Sequence, residues 1–327
     1  MINKIFLLIT CILTMNIANN SVFADDSSTN YTVEPMIPEN QQKDTQDYFD
    51  LLVSPGQKQE LKIKISNKSN KVQKFNIAFN TATTNENGVI DYSNSKFTRD
   101  PSMIFDIDKY VRLKEKIIEL HPHQEKYIFL EVKLPQKVFN GVMLGGINIM
   151  PIVKDKQVNG IRQIFSRTIA LKVRVNNESV KEQIYDGEVK LDQINYHNVA
   201  KMLIRNISPT IIENVKAIGS IRSIDGKELR IDKDFSDISL APNSNFYLPI
   251  EFNSQLSPGK YIYEVHLVGK NNKWHFNKEF EINPEESRIL NDTSVDTKKL
   301  NVNYILVVLF IFIITVIASL YLKMKKD

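Results

Sequence analysis

Leu61-Lys62-Ile63-Lys64-Ile65 and Leu171-Lys172-Val173-Arg174-Val175 decide the fold, because in each an apolar side chain alternates with a cation. Successive strand residues face opposite sides, so a period of two puts one side on a core and the other in water. Phe75-Asn76-Ile77-Ala78-Phe79 repeats the pattern, and Ile128, Leu130, Val132 and Leu134 share one face of a strand that Pro135 ends. Further on, Trp274, Phe276, Phe280 and Ile282 face one way, while His275, Asn277, Glu279 and Glu281 face the other. Burial on one side only is the habit of antiparallel sheets.

The punctuation agrees. Asn87-Gly88, Asn159-Gly160 and Asp225-Gly226 supply residues that tolerate the positive φ of tight hairpin turns. Ser54-Pro55-Gly56 and Ser257-Pro258-Gly259 pre-set turns just before strands. The fold expected is all-β, with two immunoglobulin-like β-sandwich domains. Only Phe97 to Tyr110 reads as an exception, with room for a short helical turn. A boundary fits at Asn176-Asn177-Glu178-Ser179, giving domains at 30–176 and 178–284. From Asn283 to Asn303 the chain turns polar, which reads as a flexible stalk over 285–303.

The two ends read as an address. Lys4, an apolar stretch from Ile5 to about Ile17, and Val22-Phe23-Ala24 before Asp25 make a signal peptide of residues 1–24. Tyr304 to Leu322 is a run of 19 residues without an ionisable charge, enough for one helix to cross a hydrocarbon core of about 30 Å. Lys323, Lys325 and Lys326 follow it and place the tail, 323–327, in the cytoplasm. The expected location is therefore the cell membrane, single-pass, with residues 25 to about 303 outside. No Leu-Pro-x-Thr-Gly sorting motif precedes the helix, where the chain reads Arg288-Ile289-Leu290-Asn291-Asp292-Thr293. The anchor should stay attached.

The chain carries a formal charge of +4, and after Lys4 and the tail are set aside +1 remains for residues 5–322. So neutral an exterior argues against nucleic acid as ligand. The one cysteine, Cys11, lies in the signal peptide, so disulfides cannot hold the mature chain together. A lipobox ending Ile9-Thr10-Cys11 lacks the small residue that motif wants before the cysteine. Each domain must rest on its own apolar core.

Chemistry-bearing motifs are few. His121-Pro122-His123 is the one close histidine pair, and a proline between them makes a turn with no third ligand in view. Asp106 with Asp108, and Asp232, Asp234 and Asp237, lack the bidentate carboxylate of a calcium loop and read as solvated charges. Asn85-Glu86-Asn87-Gly88-Val89-Ile90-Asp91 is better explained as a turn before a strand. No nucleophile elbow or phosphate-binding glycine loop occurs. The reading is a non-enzymatic protein with no catalytic residue, metal or cofactor.

Tyr31-Thr32-Val33-Glu34-Pro35-Met36-Ile37-Pro38-Glu39-Asn40-Gln41, then Tyr48-Phe49-Asp50-Leu51, Asn85 to Tyr92, and Phe139-Asn140-Gly141-Val142-Met143-Leu144-Gly145-Gly146 resemble the N-terminal domain of the WxL-interacting proteins. The likeness covers most of residues 30–153, and the second half is similar to that family's other extracellular domain. Asn140 stands where many relatives carry an acidic residue. The resemblance implies a surface protein of Gram-positive bacteria whose first domain binds peptidoglycan. The second would bind host proteins and WxL-type wall proteins.

Glycans bind through aromatic faces and planar amides, which makes Glu39, Asn40, Gln41, Asn85, Asn87 and Tyr92 the candidate contacts. The plainer reading gives the asparagines to turns and Tyr48, Phe49 and Tyr92 to the core, with Gly141, Gly145 and Gly146 allowing close backbone approach. The function expected is a tether with peptidoglycan, WxL-domain wall proteins and host extracellular matrix proteins as partners. Two alternatives stand beside it: an adhesin for host matrix proteins, and a cell-wall hydrolase.

Overall fold

The computed structural model describes residues 30–42, 46–153, 164–224, 230–297 and 310. The signal peptide, the span from Tyr304 to Leu322, the tail lysines and the turns at Asn159-Gly160 and Asp225-Gly226 lie outside them. Among the described residues no helix is long and apolar enough to cross a membrane.

Alternation becomes strands as read. One sheet has the order β1 (Tyr31–Met36), β3 (Lys58–Asn67), β9 (Glu125–Lys133), β7 (Val111–Leu113). A second has the order β2 (Phe49–Leu52), β11 (Arg167–Arg174), β10 (Met143–Ile152), β4 (Gln73–Thr81), β8 (Ile117–Leu120). The hairpin β5 (Thr83–Thr84) and β6 (Ile90–Asp91) stands apart. All of these pairings are antiparallel except β2 with β11.

Leu61, Ile63 and Ile65 of β3, Ile128 and Leu130 of β9, Phe75 and Ile77 of β4, and Ile147 and Ile149 of β10 share one core, so the two sheets form a sandwich. Each such side chain contributes about 1.5–3 kcal/mol on burial. Tyr31 closes it, its ring 4.9 Å from Phe75 and its hydroxyl 3.0 Å from the carbonyl of Ile149 on the opposite sheet. Burial pushes that phenol up to about 12.

The remaining strands make two sheets. One has the order β12 (Ile184–Ile194), β13 (His197–Asn206), β16 (Ser244–Glu251). The other runs β15 (Arg230–Leu240), β14 (Ile212–Ser223), β17 (Gly259–Val268), β18 (Lys273–Ile282). They face each other: the buried Tyr263 hydroxyl donates to Leu248 O at 2.8 Å, and a Cβ on Gly219 would meet Ile250 at 2.8 Å.

The second pair of sheets repeats the first, with β1-β3-β9 answered by β12-β13-β16, and β8-β4-β10-β11 by β15-β14-β17-β18. Sequence carries the repeat at two points. Ile65-Ser66-Asn67-Lys68-Ser69 ends β3, and Ile204-Arg205-Asn206-Ile207-Ser208 ends β13. Asn67 Nδ2 donates to Lys71 O at 2.8 Å and Asn206 Nδ2 to Thr210 O at 2.8 Å, while each Oδ1 accepts the N–H two residues on. β8 ends at Leu120 and runs into His121-Pro122-His123, and β15 ends at Leu240 and runs into Ala241-Pro242-Asn243, with His123 at φ 58 and Asn243 at φ 48. The same turn forms without histidine, so His121-Pro122-His123 is a structural turn, as read.

Two readings are corrected. The polar stretch taken as a stalk begins as helix α1 (Pro284–Thr293), capped by Asn283, whose side chain accepts from Glu286 N at 2.8 Å. It docks through Asn291, which donates to Leu256 O at 2.9 Å and accepts from Leu256 N at 2.9 Å, and through Ser287, which donates to Leu256 O at 2.9 Å. Packing through polar side chains hides a helix from apolar periodicity. Asp106 is no solvated charge either: it sits at 2% exposure before a 3-10 turn, Ile107–Tyr110, and binds Thr81 and Arg99. The helical turn expected within 97–110 is this one.

By packing, the chain divides into two compact units: Met1–Tyr185 with Ile204–Val215 and Asp237–Phe246, and Asp186–Leu203 with Lys216–Ser236 and Tyr247–Asp327.

Candidate binding surfaces

Most of the sequence-predicted contact residues hold backbone in place. Asn40 Nδ2 donates to Leu52 O at 3.0 Å and to Gln59 Oε1 at 3.1 Å, and its Oδ1 accepts from Gln59 Nε2 at 2.9 Å. Gln41 acts as a peptide group would, donating to Tyr48 O and accepting from Asp50 N, both at 3.0 Å. Asn85 Oδ1 accepts from Asn87 N at 3.0 Å and Val89 N at 3.1 Å, closing the turn in which Gly88 takes φ 71. Glu39 and Asn87 are exposed.

Tyr92 is half-buried, its ring so close to β10 that a Cβ on Gly146 would meet it at 2.7 Å. Burial pushes its phenol up to about 12, with Tyr48 and Glu213 adding to the shift. Gln41 is thus tied to Tyr48, while Asn85 and Asn87 shape the β5–β6 hairpin that Tyr92 directly follows.

The motif at 139–146 shapes the first unit's surface. Gly141 takes φ 80, and a Cβ there would stand 2.0 Å from Pro209 O, while Val142 N donates to that same carbonyl at 2.8 Å. Gly145 lies where a Cβ would meet Phe79 at 2.6 Å. Close approach is thus what these glycines permit. On one side of Val142 lies an apolar hollow of about 470 Å³ that includes Ile104, Phe105, Val138, Phe139 and Met143. On the other lies a polar cleft of about 370 Å³, with Lys172, Arg174, Asn176, Asn177, Glu178 and Glu213 in its walls.

Behind the polar cleft sits Asp50, fully buried, ion-paired to Arg174 and 3.6 Å from Lys172. Asp50 Oδ2 and Arg174 Nε are buried without a hydrogen-bond partner. A guanidinium, a lysine, two carboxylates and two amides make a cleft suited to amide groups and to ligands carrying both charges. Sequence reading missed Lys172 and Arg174 because they are the polar half of the strand pattern, and alternation marks such residues as solvent-facing.

Asp100, at 2% exposure, forms a second buried node in this unit. Arg205 donates to it through Nε at 2.7 Å and a second nitrogen at 2.9 Å, Ser102 N at 3.0 Å and Asn245 Nδ2 at 3.3 Å. Burial pushes its carboxyl up, but these donors outweigh it and hold the group down at about 2.

Tandem all-β sandwiches, with clefts walled by strand and loop residues, define a two-domain β protein with binding-type surfaces. The chain belongs to the WxL-interacting protein family: residues 31–151 match the peptidoglycan binding domain of WxL Interacting Protein, and residues 156–292 match its host binding domain. Both are binding domains. A comparison with curated proteins found no match. Among solved structures, a chain from a chaperone–tip adhesin complex of CFA/I fimbriae is similar at 11% identity, over 76% of this chain and 97% of that one, with a TM-score of 0.32. The CupB2 chaperone of Pseudomonas aeruginosa is similar at 10% identity, over 71% and 97%, with a TM-score of 0.29. The PapD-like domain 7 of human CEP192 is similar at 10% identity, over 49% and 95%, with a TM-score of 0.29.

Proposed function

We propose that this chain is a non-enzymatic tether of a Gram-positive cell surface, held in the membrane by residues 304–322. In this reading the domain at 30–176 grips peptidoglycan and the one at 178–284 holds a WxL-type wall protein. The tandem match to both family domains, in that order, carries it.

The cleft beside Lys172 and Arg174 supports the first half. Peptidoglycan offers acetamido groups on its sugars and both carboxylate and ammonium groups on its stem peptides. Those are the groups that the cleft's amides, cations and carboxylates complement. For the second half, β12, β15 and β18 end their sheets, and a protein partner can add a strand to such an edge.

The test is co-sedimentation of residues 25–303 with insoluble peptidoglycan. Binding is expected, and Glu213→Ala, at an exposed wall residue of the cleft, should weaken it with little change in the melting temperature. Failure of the intact fragment to sediment removes the wall-binding half. Release of soluble muropeptides during the incubation would instead make the chain a hydrolase, and retention by immobilised host matrix protein alone would make it an adhesin. A fragment ending at residue 176 is the wrong reagent, because the first unit includes residues 204–215 and 237–246.

A further inference from the structure

Outside these clefts, one cluster joins residues that the sequence keeps apart. β17 and β18 pair so that His266 stands directly opposite His275, with Glu264 two residues away on the same face. The imidazole rings stack at 4.2 Å between centroids and 7° between planes. Both Nε2 atoms converge on one oxygen, Glu264 Oε1, His266 at 3.1 Å and His275 at 2.9 Å. All three ligand atoms lie within 4.8 Å of one another.

Two parallel imidazoles aimed at a single carboxylate oxygen are an awkward way to satisfy a surface glutamate. Each must present Nε2–H, and protonating both would set two cations face to face. Two of the three edges, 3.1 and 2.9 Å, are close to those of a tetrahedral metal site, about 3.3 Å when the metal–ligand bonds are about 2.0–2.1 Å, and a small rotation of the exposed imidazoles would bring the third, within 4.8 Å, to match. Imidazole nitrogen with one carboxylate suits zinc, copper and nickel better than calcium or magnesium. Across the face, Ile218 and Ser220 of β14 and Asn277 of β18 flank the three residues, and Lys216 and Lys273 lie one register step further, beside Val268. The site is open on its outer side, so water would complete the coordination.

We infer that Glu264, His266 and His275 form a binding site for one divalent transition-metal ion of the zinc, copper and nickel class on the second unit. The chain supplies its own reporter, since Trp274, the one tryptophan, adjoins His275. Cu²⁺ added to the untagged full-length chain should quench its fluorescence saturably at one ion per chain, and Zn²⁺ should compete. His266→Asn and His275→Asn should each shift the midpoint by about tenfold or more, whereas His123→Asn should leave it unchanged. Both site residues are exposed, so circular dichroism and melting without metal should match the parent chain. Quenching that never saturates, or midpoints unaltered in His266→Asn and His275→Asn, overturns the site.

Discussion

Asp100 shows what one side chain contributes in this chain. Its folded value of about 2 lies below the ordinary aspartate value of 3.8, so its pairing with Arg205 stabilises the fold above about pH 4 and is lost as pH falls toward 2. Asp100→Ala should cost about 2–3 kcal/mol at neutral pH, less than a fully buried pair because Arg205 keeps part of its water. Urea unfolding of residues 25–303 at pH 7 would read this, and the gap between variant and parent should narrow in acid. Gly141→Ala should be worse than its size suggests, by more than about 2 kcal/mol, because φ 80 and the Pro209 carbonyl both oppose a Cβ. Asn140→Ala, at an exposed neighbour in the same motif, should be near neutral. The glycines were legible as close-approach positions. The glycan candidates were not so easily sorted, since an amide that replaces a peptide group, as Gln41 does, looks in sequence like an amide offered to a ligand.

Among elements, the strands were legible wherever one face is fully buried, as in β3 and β4. Edge strand β18 alternates in sequence, yet its apolar face is only half covered apart from Ile282. Helix α1 escaped notice because Ser287 and Asn291, not leucines, face inward. Asn291→Ala should cost about 2–3 kcal/mol, since it removes the oxygen that accepts from both the buried Leu256 N–H and Asn198 Nδ2. Asn283→Ala should cost about 1 kcal/mol as a lost helix cap. Thermal unfolding of the two variants should rank them in that order. The internal repeat went unread because its sequence trace is short. Only an asparagine at the end of β3 or β13 and a proline turn after β8 or β15 must be kept, while the core residues between need only be apolar. Asn67→Ala and Asn206→Ala should therefore destabilise by similar amounts, despite lying 139 positions apart in the sequence.

For the whole molecule, the proposed tether predicts that a chain cut after residue 303 leaves the membrane fraction and is recovered with the cell wall, while the full chain stays with the membrane fraction; an equal share of both in the membrane fraction would remove the anchor. One feature of the fold bears on how such a chain is made. The first unit needs Asp237–Phe246, where Ser244 Oγ lies 2.9 Å from Thr84 Oγ1, and that segment ends about 60 residues after Tyr185. At synthesis rates of about 5–20 residues per second, the first sandwich, whose last strand ends at Arg174, waits about 3–12 s for the remaining segments of its unit to emerge. During export the surface that Asp237–Phe246 covers would meet the cell wall bare, which makes that interval a time of exposure to extracellular proteases.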